Sequence, residues 1–195
     1  EPQQRAAIKV LHARLSGGHE SEGTSHSSVW GLIMAERNPY LPYLMRVAKV
    51  TEEAPAVKTF RLEFMNPEEA ANFEFFTGQF GLYSAFGEGE STFCIASSPT
   101  RKGYIECTFR AVGRVTSALA TKEEGDIVGF RGPYGNLFPL DAWRGKNLLF
   151  IAGGIALPPL RSVIWNCLDR RADFENITVL YGARSVADLV YKHEL

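Results

Sequence analysis

The chain has 195 residues, 45% of them hydrophobic and 22% charged, with 21 basic residues set against 22 acidic ones. That size and balance describe a globular protein of one or two domains with enough apolar material for a buried core, and they exclude a global electrostatic attraction to nucleic acid. No apolar run approaches the ~20 residues of a membrane-spanning helix, and the polar start at Glu1 lacks the layout of a signal peptide, so no membrane insertion is expected.

Residues 1–38 differ in character from the rest of the chain. Ile8, Leu11 and Leu15 recur at roughly helical spacing, and the run "SGGHESEGTSHSS" after them has no means of building a core. A short helix and a flexible linker are expected there, forming an arm that either docks on a partner or is a loose extension. Residues 39–142 carry the grammar of strands: "YLMRVAKV", "AVKTFRLEF", "FGLYSAF", "TFCIA", "YIECTFRAV" and "DIVGFRGP" are β-branched and aromatic runs separated by turn signals such as "GEGE" and "TRKG". Six such runs predict an all-β Greek-key antiparallel barrel. In the fifth, Ile105, Cys107 and Phe109 share one face, which makes Cys107 a core thiol.

The pattern changes in residues 143–195. "NLLFIA" reads as a buried parallel strand. In "LRSVIWNCLDRR", Leu160, Val163, Ile164, Cys167 and Leu168 form one apolar helical face. "ITVLYGA" is a second strand and "SVADLVYKHEL" the beginning of a second helix. Together they are the start of an α/β doubly wound nucleotide-binding domain. Two parallel strands cannot be covered on both faces by so short a stretch, so the chain is expected to be a fragment of a longer polypeptide or to be completed by a partner.

Cys94, Cys107 and Cys167 lie far apart without metal-site spacing and read as reduced thiols of a cytoplasmic protein; His12, His19, His26 and His193 form no metal motif. Two other stretches carry chemistry. "FIAGGIALPPLRS" is a strand, a glycine turn and a helix start with Pro158 and Pro159, where free N–H groups and the helix dipole can meet a pyrophosphate over Gly153 and Gly154. "FRAVGRVTSAL" ends a strand at Arg110, turns at Gly113 and opens a helix that Thr116 can cap, with Arg114 beside it. Each is also readable as ordinary packing, a glycine turn or a capped helix; two anion sites on two domains would suit two nucleotides.

The order "TGQFGLY", "FCIASSP", "VGRVTSAL", "GPYGNLF", "AGGIALPPLRS", "YGARS" resembles the ferredoxin–NADP reductase superfamily. Within it, "NPYLPYLMRV", "RAVGRVT" and "YGARSVADLVYKHEL" are most similar to the flavin- and NAD(P)-binding gamma subunits of hydrogenases and sulfhydrogenases, over everything except the arm. The resemblance implies FAD on the barrel and NAD or NADP as substrate of the second domain. It implies a flavoprotein subunit that passes hydride from the nicotinamide to flavin N5 and electrons on to iron–sulfur and hydrogenase- or reductase-type partner subunits. A 2Fe–2S cluster would fit only on a C-terminal segment outside these residues. Two alternatives stay open: a non-catalytic FAD-binding relay or scaffold subunit, and the electron-transfer subunit of dihydroorotate dehydrogenase.

Carried over by position, the resemblance puts Phe93 against the isoalloxazine and Cys94 at N5, the reacting atom, with Ile95 and Ala96 following. Gly113, Val115, Thr116 and Ser117 would hold the FAD pyrophosphate, and Tyr134 would stand near the crevice with Phe138. Gly153, Gly154 and Ile155 would contact the nicotinamide nucleotide, with Arg184 and Ser185 near its adenosine end. The chain departs from the family in three places. Ser91 stands where the family has a phosphate-binding arginine, for which Arg110 is the candidate substitute; Cys94 replaces a serine hydroxyl; Ala156 and Pro158 stand where glycine and alanine are usual. Cys94 is therefore either a buried strand thiol or a thiol facing N5.

Overall fold

The computed structural model describes residues 38–194. The expected arm over residues 1–38 lies outside the described residues, apart from Asn38.

Six strands form one antiparallel sheet: β1 (Tyr43–Ala54), β2 (Val57–Phe64), β3 (Phe80–Ala85), β4 (Gly89–Cys94), β5 (Ile105–Arg110) and β6 (Ile127–Tyr134), in the order β4-β3-β6-β1-β2-β5. All six fall on the six expected runs. The sheet curls until its edges meet: the Ala96 N–H donates to the Glu106 carbonyl at 2.7 Å, and the Phe93 and Phe109 rings touch across the seam at 5.4 Å. Alternation supplies the interior. Met45, Val47, Phe60, Leu62, Tyr83, Ile105, Cys107, Phe109, Val128 and Phe130 are all but fully buried in one core, each such large side chain contributing about 1.5–3 kcal/mol by leaving water. Gly81 is required by that packing, because a Cβ there would lie 2.1 Å from the Phe130 ring.

Two short helices decorate the barrel. Helix α1 (Pro67–Asn72) was not expected; Asn66 caps it by accepting from the Glu68 N–H at 2.9 Å, with a proline in its first turn. Helix α2 (Arg114–Ala120) follows β5 at the Gly113 turn and buries Leu119.

The second half contains β7 (Leu148–Gly153) and β8 (Ile177–Gly182), paired in parallel, with helix α3 (Leu157–Asp169) between them. Phe150, Val163, Cys167 and Phe174 form its core, and the Phe138 ring packs into it against Trp143 at 5.8 Å. Among the described residues only one face of this pair is covered: Phe150 and Ala152 are buried, whereas Leu149, Ile151 and Leu180 are exposed. The helix expected over "SVADLVYKHEL" does not form in residues 185–194. A 3-10 turn at Val186–Asp188 is followed by an extended Leu189, a bend at Val190, a left-handed Tyr191 (φ +56°) and a turn over 192–194. Val190 and Tyr191 are buried there, and the Tyr191 N–H donates to Glu53 on β1 at 2.8 Å. Tertiary burial of Tyr191 against the barrel overrides helical propensity. The same contact explains β5, whose two faces are both buried: Glu106 and Thr108, on the side away from the barrel core, lie under α3 and the Tyr191 segment.

Candidate functional site

A cleft of about 470 Å³ opens at the carboxyl ends of β7 and β8, lined by Gly153, Gly154, Gly182, Arg184 and Asp188 from the second half and by Arg110 from the end of β5. The carboxyl end of parallel strands is where α/β sheets take ligands. A Cβ on Gly153, Gly154 or Gly182 would meet nothing within 4 Å, so the floor is bare backbone open to a closely approaching group. Gly154 has φ +53°, in the left-handed region that other residues resist. Its carbonyl accepts from the Tyr181 hydroxyl at 3.0 Å, and that hydroxyl in turn accepts from the Val190 N–H at 3.0 Å. Tyr181 thus braces the glycine turn from the neighbouring strand. Ile155 follows the turn and is partly exposed.

Helix α3 offers this cleft fewer donors than its position suggests. Pro158 and Pro159 occupy its first turn and carry no N–H, and the Leu157 N–H is already bonded to the Gly154 carbonyl. Positive charge therefore comes from side chains. Arg110 is tethered to the Pro55 carbonyl at 3.2 Å, and Arg184 is 86% exposed with Asp188 3.6 Å away. Ser185 donates its hydroxyl to Asp188 at 2.9 Å. Asp188 is a residue that sequence reasoning missed: no acid could be assigned to a ribose from spacing, yet the 3-10 turn sets one on the cleft wall.

The Gly113 turn is tied by its own neighbour. The Thr116 hydroxyl accepts from the Val112 and Gly113 N–H groups at 3.0 and 2.8 Å and donates to the Gly113 carbonyl at 3.0 Å. Thr116 is buried and spent on holding the loop's shape, while Gly113 and Ser117 remain exposed and Val115 packs on the barrel core. Arg114 leans away to Glu88 at 2.6 Å. The first N–H groups of α2 have no partner inside the helix.

Strand β4 divides its residues between two faces. The Phe93 ring packs on Tyr83 and Phe109 at 5.5 and 5.4 Å, on the core side, with part of its surface accessible. Cys94 lies on the other face. Phe80 is registered against both Cys94 and Tyr134, so these three half-buried residues form a row across β4, β3 and β6. Burial pushes the Cys94 thiol above its ordinary pKa, which keeps it protonated at neutral pH. Ile95 and Ala96 are fully buried and their amides are taken, by the Gln79 and Glu106 carbonyls. They support the strand and offer no side chain to a ligand. Of the cations that could stand in for an arginine at Ser91, Arg131 on β6 is held by Glu90 at 2.9 and 2.5 Å, and Arg110 lies on the cleft.

These geometries suit two nucleotides on two folds, and the chain's likeness to known proteins agrees. Residues 45–138 match the oxidoreductase FAD-binding domain and residues 150–195 the oxidoreductase NAD-binding domain. The chain thus pairs the FAD-binding and NAD-binding domains of an oxidoreductase, in a ferredoxin–NADP reductase-like fold. It is 42% identical over 158 residues to the sulfhydrogenase 2 gamma subunit of Pyrococcus furiosus, covering 81% of this chain and 54% of that protein. To the sulfhydrogenase 1 gamma subunit of the same organism it is 42% identical over 164 residues, 84% of this chain and 56% of the relative. The chain thus spans about half the length of the curated relatives it matches. Phthalate dioxygenase reductase, a modular structure for electron transfer from pyridine nucleotides to a 2Fe–2S cluster, shares the fold with a TM-score of 0.66 at 20% identity, over 78% of this chain and 47% of that one. Among the described residues there is no cluster of potential metal ligands and no helix long and apolar enough to cross a membrane.

Proposed function

We propose that the protein is an electron-transfer flavoprotein subunit that moves electrons between NAD(P)H and iron–sulfur partners of a hydrogenase- or reductase-type complex. The observation that carries this reading is the cleft in which Arg110 of the barrel joins Gly153, Gly154, Gly182 and Arg184 of the second half. Its bare floor and two cations fit a dinucleotide pyrophosphate, and the Asp188 carboxylate can accept from a ribose hydroxyl. The exposed backbone at Gly113 and the row Cys94–Phe80–Tyr134 fit a flavin laid along the barrel. FAD, when bound, supplies the hydride-accepting N5 and the conversion of an electron pair into single electrons.

The chain's own residues bind and orient. Thr116 keeps the Gly113 loop in shape, Tyr181 holds the Gly154 carbonyl, and Arg110 and Arg184 neutralise phosphate charge. Cys94, as a neutral thiol, donates a weaker hydrogen bond than the serine hydroxyl it replaces. A nucleophilic role would need a lowered pKa, and burial moves it the other way. The unpaired thiols Cys94, Cys107 and Cys167 suit a reducing compartment such as the cytoplasm.

The test is anaerobic titration of the purified full-length flavoprotein with NADH and NADPH. Bleaching of the flavin absorbance by either supports the reading; bleaching by neither overturns it in favour of a relay subunit. Cys94→Ser is expected to change the rate of that bleaching several-fold, and an unchanged rate would assign Cys94 to packing.

A further inference from the structure

The least expected polar cluster lies away from the cleft, where α3 crosses β5. Arg161, one turn into α3, has a side chain only 11% exposed. Its Nη1 donates to Glu106 at 2.6 Å and to the Ala96 carbonyl at 3.0 Å. Its Nε and Nη2 grip both oxygens of Glu194 at 2.8 and 2.7 Å. The guanidinium also lies 4.6 Å from the centre of the Tyr191 ring. Glu106, itself buried, accepts a second cation, Arg61, at 3.0 Å. Four of the five guanidinium N–H donors are thus used, in a fork that a lysine ammonium could not reproduce. One turn further along the same face, Trp165 Nε1 donates to Glu194 at 2.9 Å. Asp169 then takes Arg101, from the loop after β4, through both oxygens at 3.2 and 3.0 Å.

What this cluster joins gives it a meaning beyond stability. Ala96 is two residues past Cys94, the last residue of β4, in a segment whose Ile95 and Ala96 amides are bonded to the Gln79 and Glu106 carbonyls. Helix α3 starts immediately after the Gly153–Gly154 turn, and a helix transmits displacement along its axis as a stiff rod. Arg161 bonds these two elements directly, nearer the turn than the Arg101–Asp169 pair.

We propose that Arg161 is a positioning residue that fixes the nucleotide-binding turn relative to the Cys94 strand, and so sets the distance and angle between the nicotinamide and its acceptor. The inference rests on the flavoprotein reading above and adds to it a residue outside both binding sites. Glu106, Glu194 and the Ala96 carbonyl are the fixed points, and Tyr191 closes the fourth side.

The test uses the full-length holoprotein. Arg161→Met keeps much of the side chain's length and removes its donors; Glu106→Gln keeps shape and an acceptor oxygen and guards against a methionine variant that does not fold. Single-turnover flavin reduction by NAD(P)H, measured well below the melting temperature, is expected to slow roughly 10- to 100-fold in Arg161→Met, with flavin content unchanged and nucleotide Kd moved less than about threefold. Glu106→Gln is expected to slow less and in the same direction. A second readout needs no turnover: amide hydrogen exchange should rise together in residues 94–98 and 154–160. A role confined to stability would lower the melting temperature and leave the reduction rate at its wild-type value, which would overturn the proposal. So would a rise in exchange in only one of the two segments. If the wild-type protein is reduced by neither nucleotide, the functional reading fails, and paired or unpaired exchange still decides whether Arg161 couples the two elements.

Discussion

The two glycine turns of this molecule look alike in sequence and are held in opposite ways. The Gly113 turn is self-contained: Thr116, three residues on, ties its amides and its carbonyl. The Gly153–Gly154 turn is tied locally by backbone, from the Leu157 N–H to the Gly154 carbonyl, and takes its side-chain brace from another strand. Its shape depends on Tyr181 from β8, and the helix after it is anchored to the barrel through Arg161 and Asp169. A locally tied turn stands or falls with one hydroxyl. A turn braced from a distance can be loosened from several places, and it is the one whose placement against the other site matters.

That difference is open to direct attack. Thr116→Val removes the hydroxyl at constant shape and leaves the Val112 and Gly113 amides to water, at a cost of about 0.5–1.5 kcal/mol for each hydrogen bond lost. FAD affinity, followed by flavin fluorescence titration, is expected to fall about 10- to 100-fold, with nucleotide binding to the remaining holoprotein unchanged. Full FAD affinity in this variant would mean that the loop keeps its shape without Thr116. Tyr181→Phe is the matching cut at the second turn. It loses two neutral hydrogen bonds worth about 0.5–1.5 kcal/mol each, part of which water recovers at this half-exposed site. A three- to tenfold rise in nucleotide Kd is expected (about 1 kcal/mol), with flavin content untouched; loss of flavin instead would show that the turns are not independent.

The same contrast decides what could be read beforehand. The six barrel strands were legible because period-two alternation is written locally, and the Thr116 tie because it spans one helical turn, although the N-cap is Gly113 and Thr116 reaches back to it from the third helical position. Helix α1 has a local signal too, Asn66 before "PEE", although its six residues are too few to show an apolar period. The tail was misread because "SVADLVYKHEL" has helical composition, while its fate is set by Tyr191 meeting Thr108 and Glu53 on the barrel. Asp188 and Arg161 were illegible for that reason: their roles depend on partners brought by tertiary folding. Glu106 gave no hint either: with Thr108 and Arg110 it alternates with Ile105, Cys107 and Phe109 as a solvent-facing strand side would, and only tertiary folding buries it under α3.

The smallest expected effect separates the two turns by pH. Asp169 has its pKa lowered, chiefly by the Arg101 guanidinium and further by the Thr100 hydroxyl, against a smaller opposing effect of burial. Burial raises the Glu194 pKa, but the hydrogen bonds from Arg161 and Trp165 outweigh it and the net shift is downward. A carboxylate whose folded pKa lies below its unfolded value stabilises the fold fully above the unfolded pKa, about 3.9 for Asp and 4.3 for Glu, and loses that contribution as pH falls through the folded value. The anchors of α3 therefore weaken in acid. The Thr116 ties contain no titrating group and do not. Asp169→Asn should lower the melting temperature by a few degrees at pH 7, an effect on the order of 1 kcal/mol for a partly exposed bidentate pair, and by progressively less as pH drops below about 4. Thr116→Val should lower it by the same amount at both ends of that range. If the Asp169→Asn deficit is as large at pH 3 as at pH 7, the Arg101 pair is not what Asp169 contributes, and of the two α3 anchors it is Arg161 that ties the helix to the barrel.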